Sequence, residues 1–257
     1  MSNAASVLAN LRRILPGTRT RKTQEDRLAP LPAPFRDALL SMYRGEPQLG
    51  SDGQLHEINR ITRISATHGM WLYDFCLATR PRSIVEIGMA YGFSTLYLLA
   101  AIAKNQTGTL TSIDPYQTSL WKGIGRTHAQ KLDAATGSAK VSRLIEDRSD
   151  RASTDLARAN ETFDLLFIDG NHRFDDVLVD FYLYAPLCSI GGHIVFDDMW
   201  MSSIRTVIAF IRANRPDVVE LPASKKGYCV FKKIGDYTRK WDEFTRFRVA
   251  PSARVNR

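Results

Sequence analysis

A chain of 257 residues, 44% hydrophobic, 10% aromatic and 24% charged, has the length of one α/β domain with extensions and the composition of a protein that buries a core. Fibrous and disordered classes are thereby excluded. The formal net charge of +8 is unevenly spread, with +5 in residues 1–36, +4 in residues 237–257 and −1 in the body between them, so the basic character reads as tails or subunit contacts and not as a nucleic-acid groove.

No run approaches the roughly 18 apolar residues that would span a bilayer, and no apolar leader opens the chain, so a cytoplasmic protein without a membrane partner is expected. The three cysteines, Cys76, Cys188 and Cys229, are odd in number and far apart. They predict buried reduced thiols and neither a disulfide framework nor a CxxC metal site.

In chain order, residues 1–34 read as a basic extension whose later part, from Thr18 through Pro30, Pro32 and Pro34, is a linker. Apolar residues at helical spacing over 35–43 and again over 58–79 predict cap helices within 35–80. From residue 81 to 236 short apolar runs alternate with helical stretches. Strands are predicted at 83–88, 110–114, 141–145, 163–169 and 193–198, helices at 94–103, 175–185 and 203–213, and a terminal antiparallel pair at 218–221 and 228–232. That alternation argues an α/β fold built on a doubly wound, mostly parallel sheet. Residues 237–257 form a basic tail.

In such a sheet ligands bind beyond the carboxyl ends of the strands, and four strands here end in or near acids: Glu86, Asp114, Asp169 and the pair Asp197-Asp198. The first strand runs into Gly88-Met-Ala-Tyr-Gly92-Phe-Ser94, a G-x-x-x-G loop that allows close backbone approach to a ligand. Its spacing is not the G-x-G-x-x-G of nicotinamide enzymes, and no Walker lysine follows. Asp114 stands where a carboxylate accepts hydrogen bonds from ribose hydroxyls. Asp169, Asp197 and Asp198 end two adjacent strands, and three converging carboxylates repel one another unless a cation, a basic partner or a raised pKa intervenes; hard oxygen donors suit Mg²⁺ or Ca²⁺.

Taken together, Glu86-x-Gly88-x-x-x-Gly92, Asp114 and Phe163-Asp-Leu-Leu-Phe-Ile-Asp169 resemble the class I S-adenosylmethionine-dependent methyltransferases over about residues 58–234. The resemblance implies a seven-stranded Rossmann-like sheet with a reversed last strand. It further implies Glu86 and Gly88 against the amino-acid moiety of S-adenosylmethionine, Gly92 and Ser94 in the same cofactor loop, Asp114 on the ribose, and Asp147 or Arg148 beside the adenine. The carboxylate pattern is similar to that of the catechol and macrocin-type sugar O-methyltransferases. By that likeness Asp169, Asp197 and Asp198 would hold Mg²⁺, and Asp169 would also border the cofactor and the reaction. His172 would serve as general base, oriented by Arg173 and Asp175, and His68 would sit in a segment folded over the cofactor. The expected partner is a small molecule bearing a hydroxyl on a sugar, catechol or natural-product diol. Trp71, Tyr116, Trp121, Trp200 and Met201 are candidate walls of its pocket. A metal-independent methyltransferase is the alternative. An RNA-binding one lacks the Asn/Asp-Pro-Pro-Tyr type strand end, and the basic extensions leave room for contact with a second subunit.

Overall fold

The computed structural model describes residues 23–136, 140–222, 227–238 and 240–249. Five elements precede the sheet domain: α1 (Gln24–Leu28), α2 (Ala33–Arg44), the hairpin β1 (Gln48–Leu49) and β2 (Leu55–His56), and α3 (Ala66–Thr79). Then come β3 (Ser83–Ile87), α4 (Phe93–Asn105), β4 (Thr109–Ile113), α5 (Ile124–Asp133), β5 (Ser142–Ile145), α6 (Ser149–Arg158), β6 (Phe163–Ile168), α7 (Phe174–Tyr184), β7 (Cys188–Phe196), α8 (Ser202–Asn214), β8 (Val218–Glu220) and β9 (Cys229–Lys233). The sheet runs β5-β4-β3-β6-β7-β9-β8. The first five strands are mutually parallel, and β9 is antiparallel to β7 and β8 on either side of it. The expected mostly parallel sheet with one reversed strand is therefore present.

Burial on both faces follows from the two-residue repeat of the strands. Ile84, Leu165, Phe167 and Val195 point into a core shared with Phe35, Leu72 and Leu96, whereas Val85, Leu166, Ile168 and Ile194 point into one shared with Phe181, Val207 and Ile208. Chain order reverses at β3, which pairs with β4 on one side and β6 on the other. A crevice at the carboxyl ends of these strands is the place for a ligand. All three cysteines are buried and free, and no helix of the described residues is long and apolar enough to cross a membrane.

Three segments differ from expectation. Residues 58–65 are not helical: the Asn59 side-chain carbonyl accepts the amides of Ile61 (3.1 Å) and Thr62 (2.8 Å), closing a turn. α3 starts only after Ser65, whose hydroxyl accepts the His68 amide. Asn and Ser side chains compete with helical hydrogen bonds in this way, and the apolar spacing ran straight across them. Second, the later part of the expected linker is structured. Thr23 and Asp26 form a capping box on α1, and Leu28 and Leu31 are buried at 0% and 3% exposure. Leu28→Ala is accordingly expected to lower the unfolding free energy by about 2–4 kcal/mol in a urea titration; a linker residue would leave it unchanged. Third, the basic tail meets α8 at two residues: the Asn214 side chain and the Thr245 backbone exchange two hydrogen bonds, and Phe247 packs on Phe210. The expected basic N-terminal helix, the Ser-Lys-Lys part of the last turn and the end of the tail lie outside the described residues.

Candidate active site

The carboxyl ends of β3, β4, β6 and β7 open into a cavity of about 790 Å³ lined by Gly88, Ser94, Asp114, Asp169, His172, Asp197, Asp198 and, from the N-terminal side, Arg63 and His68. Sequence reasoning thus brings eight of its candidates to one place. Three others, Glu86, Gly92 and Asp147, do not line it.

The glycine loop is shaped by the protein's own packing. Gly88 has φ +93, and a Cβ there would lie 2.2 Å from the backbone oxygen of Asp169; Gly92 has φ +89, with Gly125 Cα 2.9 Å from its absent Cβ. Several amides of the loop are satisfied internally: Gly88 donates to Ile113 O, Gly92 to Met89 O and Ala90 to the Asp114 carboxylate. Asp114, 4% exposed, accepts Ala90 N–H at 2.7 Å on one oxygen and Tyr116 N–H at 2.8 Å on the other. Burial raises its pKa above the ordinary carboxylate value, partly offset by those amides. The carboxylate is thereby fixed at the cavity wall with lone pairs left over for ligand hydroxyls.

Glu86 is placed differently from expectation. It is fully buried behind the loop and accepts the hydroxyls of Ser94 (2.6 Å), Thr95 (2.7 Å) and Ser112 (2.6 Å). Burial pushes its pKa up to about 7 against those three donors. It ties the start of α4 to β3 and β4 and does not line the cavity. Asp147 faces Arg151 and the Arg148 amide; its neighbours Arg148, Ser149 and Asp150 take the place at the cavity wall.

The acid cluster also differs in membership. Asp169, His172 and Asp198 each offer one atom to a group whose members lie within 4.8 Å of one another, the one such group of three among the described residues. His172 Nε2 is 2.8 Å from Asp198 Oδ2 and 3.6 Å from Asp169 Oδ1. This buried nitrogen is ion-paired with both carboxylates and makes no other polar contact. Asp197 is outside the group. Its Oδ1 turns back to accept the Asp198 amide at 2.6 Å, while Asp198 takes the left-handed φ of +55 that swings its own carboxylate toward His172. Asp198 Oδ1 accepts the Trp200 indole N–H at 2.7 Å.

The electrostatics follow from this crowding. Burial raises Asp169 to about 6, and burial with the nearby Asp169 charge raises Asp197 to about 8. Asp198 resists the same burial and ends below the ordinary value because His172 and Trp200 face it. The Asp169 and Asp198 carboxylates push the His172 imidazole up to about 10. When protonated, the imidazole is itself the positive partner of the two carboxylates; once it has lost that proton, its Nε2 and the two carboxylates form a donor set that a cation would fit.

Arg173 and Asp175 are exposed and off the cavity; Trp71 and Met201 are also off it, half-buried against the two cores. Tyr116, Trp121 and Trp200 do line it. Sequence reasoning did not place Arg63, Asp176 or Asp180 there. No motif marks the first; the other two recur at i and i+4 on α7, a spacing that puts both on one helix face.

Residues 85–199 match the family model described as a methyltransferase domain. This stretch is similar to that domain family. Its boundaries take in the glycine loop and all three members of the donor group. An uncharacterized Sinorhizobium fredii protein is 32% identical over 133 residues, 51% of this chain and 14% of that relative, so the chain spans only a small part of the relative's length. Among solved structures, a Bacillus cereus O-methyltransferase in complex with SAH superposes with a TM-score of 0.60 at 17% identity, covering 81% of this chain and 94% of that one. The Streptomyces achromogenes O-methyltransferase TomG, in complex with SAM, gives 0.55 at 20% identity over 90% and 96%. The sheet domain and the elements before it thus share the fold of those two structures.

Proposed function

We propose that the chain is an S-adenosylmethionine-dependent O-methyltransferase for a small molecule with adjacent oxygen donors, assisted by a divalent cation. The observation that carries this reading is one cavity walled by both Asp114 with the glycine loop and the donor group of Asp169, His172 and Asp198. When bound, S-adenosylmethionine supplies an activated sulfonium methyl, and a divalent cation supplies Lewis acidity toward the acceptor hydroxyl.

The chain's own residues supply orientation, the largest effect a protein can bring to a displacement whose methyl group is already activated. Asp114 accepts the ribose hydroxyls and Arg148 borders the adenine. Asp169, His172 and Asp198 hold the cation. A nitrogen donor beside two carboxylates widens the acceptable metals from Mg²⁺ toward Mn²⁺ and its neighbours. With Nε2 in the donor set, His172 no longer serves as the base. That role passes to His68, the other imidazole on the cavity wall, whose ring is held between Tyr228, at a 5.1 Å centroid distance, and Gly227, where a Cβ would approach to 2.5 Å.

The test is thermal unfolding of the full chain with S-adenosylhomocysteine and, separately, with NAD. At a hundred times its Kd the former stabilises by about 2.7 kcal/mol, and NAD does nothing. Absence of any shift with S-adenosylhomocysteine would sink the reading.

A further inference from the structure

The Tyr228 hydroxyl is buried, with the residue only 2% exposed, and makes no hydrogen bond to any described residue. Leaving a buried O–H without an acceptor is costly, so folded proteins supply one or place a water between. The ring is not free to swing out and find one. Trp71 lies against it at a 4.7 Å centroid distance, His68 at 5.1 Å and Phe167, edge-on, at 6.0 Å.

Strand alternation sets what the side chain faces. Tyr228, which leads into β9, and Val230 point into the core that holds Val195 and Phe167, whereas Cys229 and Phe231 point into the other. Phe196 pairs with Cys229, and the Met199 amide still reaches the Gly227 carbonyl at 3.1 Å. The step between those two links sets Asp197 opposite Tyr228, and Asp169 and Asp197, two residues beyond Phe167 and Val195, belong to the same face. The electrostatics agree. Burial, then the charges of Asp197 and Asp169, ahead of the Tyr43 and Tyr97 hydroxyls, raise the Tyr228 pKa well above the ordinary tyrosine value. Those two hydroxyls are already engaged with each other and with the Ile64 carbonyl, and Asp169 turns one oxygen to His172. Asp197 uses Oδ1 for the Asp198 amide; among the described residues no hydrogen bond reaches its Oδ2.

We infer that Tyr228 is a positioning residue of the donor group, its hydroxyl donating through one buried water to Asp197 Oδ2. Tyr228 and Asp197 give that water two polar partners, enough to hold one in a protein interior. A carboxylate held at both oxygens keeps its place behind the turn, and Asp198, with its φ of +55, stays aimed at His172. Tyr228 thereby decides which of two consecutive acids joins the donor group. The pairing with Asp197 stands on the fold; its effect on a cation rests on the proposed function above.

Two measurements on the full chain test it. In urea unfolding without ligand or metal, Tyr228→Phe keeps the ring contacts and should lower the folding equilibrium constant by about threefold to tenfold. In an Asp197→Ala background the same substitution should change it by less than about twofold, because the partner is already gone. In calorimetry on protein saturated with S-adenosylhomocysteine, Tyr228→Phe should weaken Mn²⁺ binding about tenfold, as loss of an outer partner does, with S-adenosylhomocysteine affinity unchanged. A merely structural tyrosine would lower stability and leave Mn²⁺ affinity alone. Stability equal to or above wild type in Tyr228→Phe, equal effects in the two backgrounds, or unchanged Mn²⁺ affinity overturns the inference and leaves the methyltransferase reading intact. If wild type takes up no Mn²⁺, the cation reading and the positioning role fall together, and the urea cycle decides the Tyr228–Asp197 pairing by itself. If S-adenosylhomocysteine does not bind either, the methyltransferase reading falls as well.

Discussion

Gly88→Ala is expected to destabilise the protein by about 2–5 kcal/mol and to remove S-adenosylhomocysteine binding. Two independent causes act at this position. Its φ of +93 disfavours any side chain, and the new Cβ would lie 2.2 Å from the Asp169 backbone oxygen and 2.7 Å from Gly170 Cα. The obstacle is backbone at the end of β6, which cannot rotate away as a side chain would. Relief requires the ends of β3 and β6 to part, and that displaces Asp169 from His172 and Asp198. Urea unfolding and calorimetry measure the two losses together. A variant of wild-type stability that still binds the ligand would show that this close approach of the strand ends is dispensable.

Glu86→Gln is expected to flatten the dependence of stability on pH. The folded pKa of Glu86, about 7, lies above the ordinary 4.5 because burial outweighs its three hydroxyl donors. A raised acid contributes its full stability below pH about 4.5 and loses it as pH rises through about 7. The difference approaches roughly 3 kcal/mol above that range. Glutamine keeps the shape and carries no proton to lose, so the variant should gain on wild type between pH 5 and 8 in urea titrations. Since Glu86 does not line the cavity, S-adenosylhomocysteine affinity should not change. An unaltered pH slope would contradict the assignment of Glu86 as a buried tie, and a loss of affinity would restore it to the cofactor site.

Much of the sheet is legible in the sequence because parallel strands buried on both faces are written as continuous apolar runs, and their acidic ends sit where the chain leaves each strand. Other elements are not. α5 and α6 bury few of their residues, leaving little apolar signal. The β1–β2 hairpin has only two residues per strand and depends on long-range contacts, including His128 with Gln48 at 2.9 Å. Within the site, Glu86 and Asp147 were legible as acids of the right spacing but not as to which way they point. The exchange of His172 for Asp197 has a clear physical origin. Successive residues at a strand end face opposite ways, and only the left-handed φ of Asp198 turns the second acid inward while the first closes on the amide behind it. Backbone choices of that kind are made by packing and leave no trace in residue type.

The most direct test of the proposed centre is a titration of Mn²⁺ into the full chain saturated with S-adenosylhomocysteine, comparing wild type with Asp197→Asn, Asp198→Ala and His172→Ala. The donor group predicts one site in wild type, its loss in Asp198→Ala and in His172→Ala, and its survival in Asp197→Asn with affinity reduced by no more than about tenfold to a hundredfold, as for a supporting residue. Loss in Asp197→Asn with retention in His172→Ala would return the site to the three acids, and no binding to wild type would remove the cation from the account.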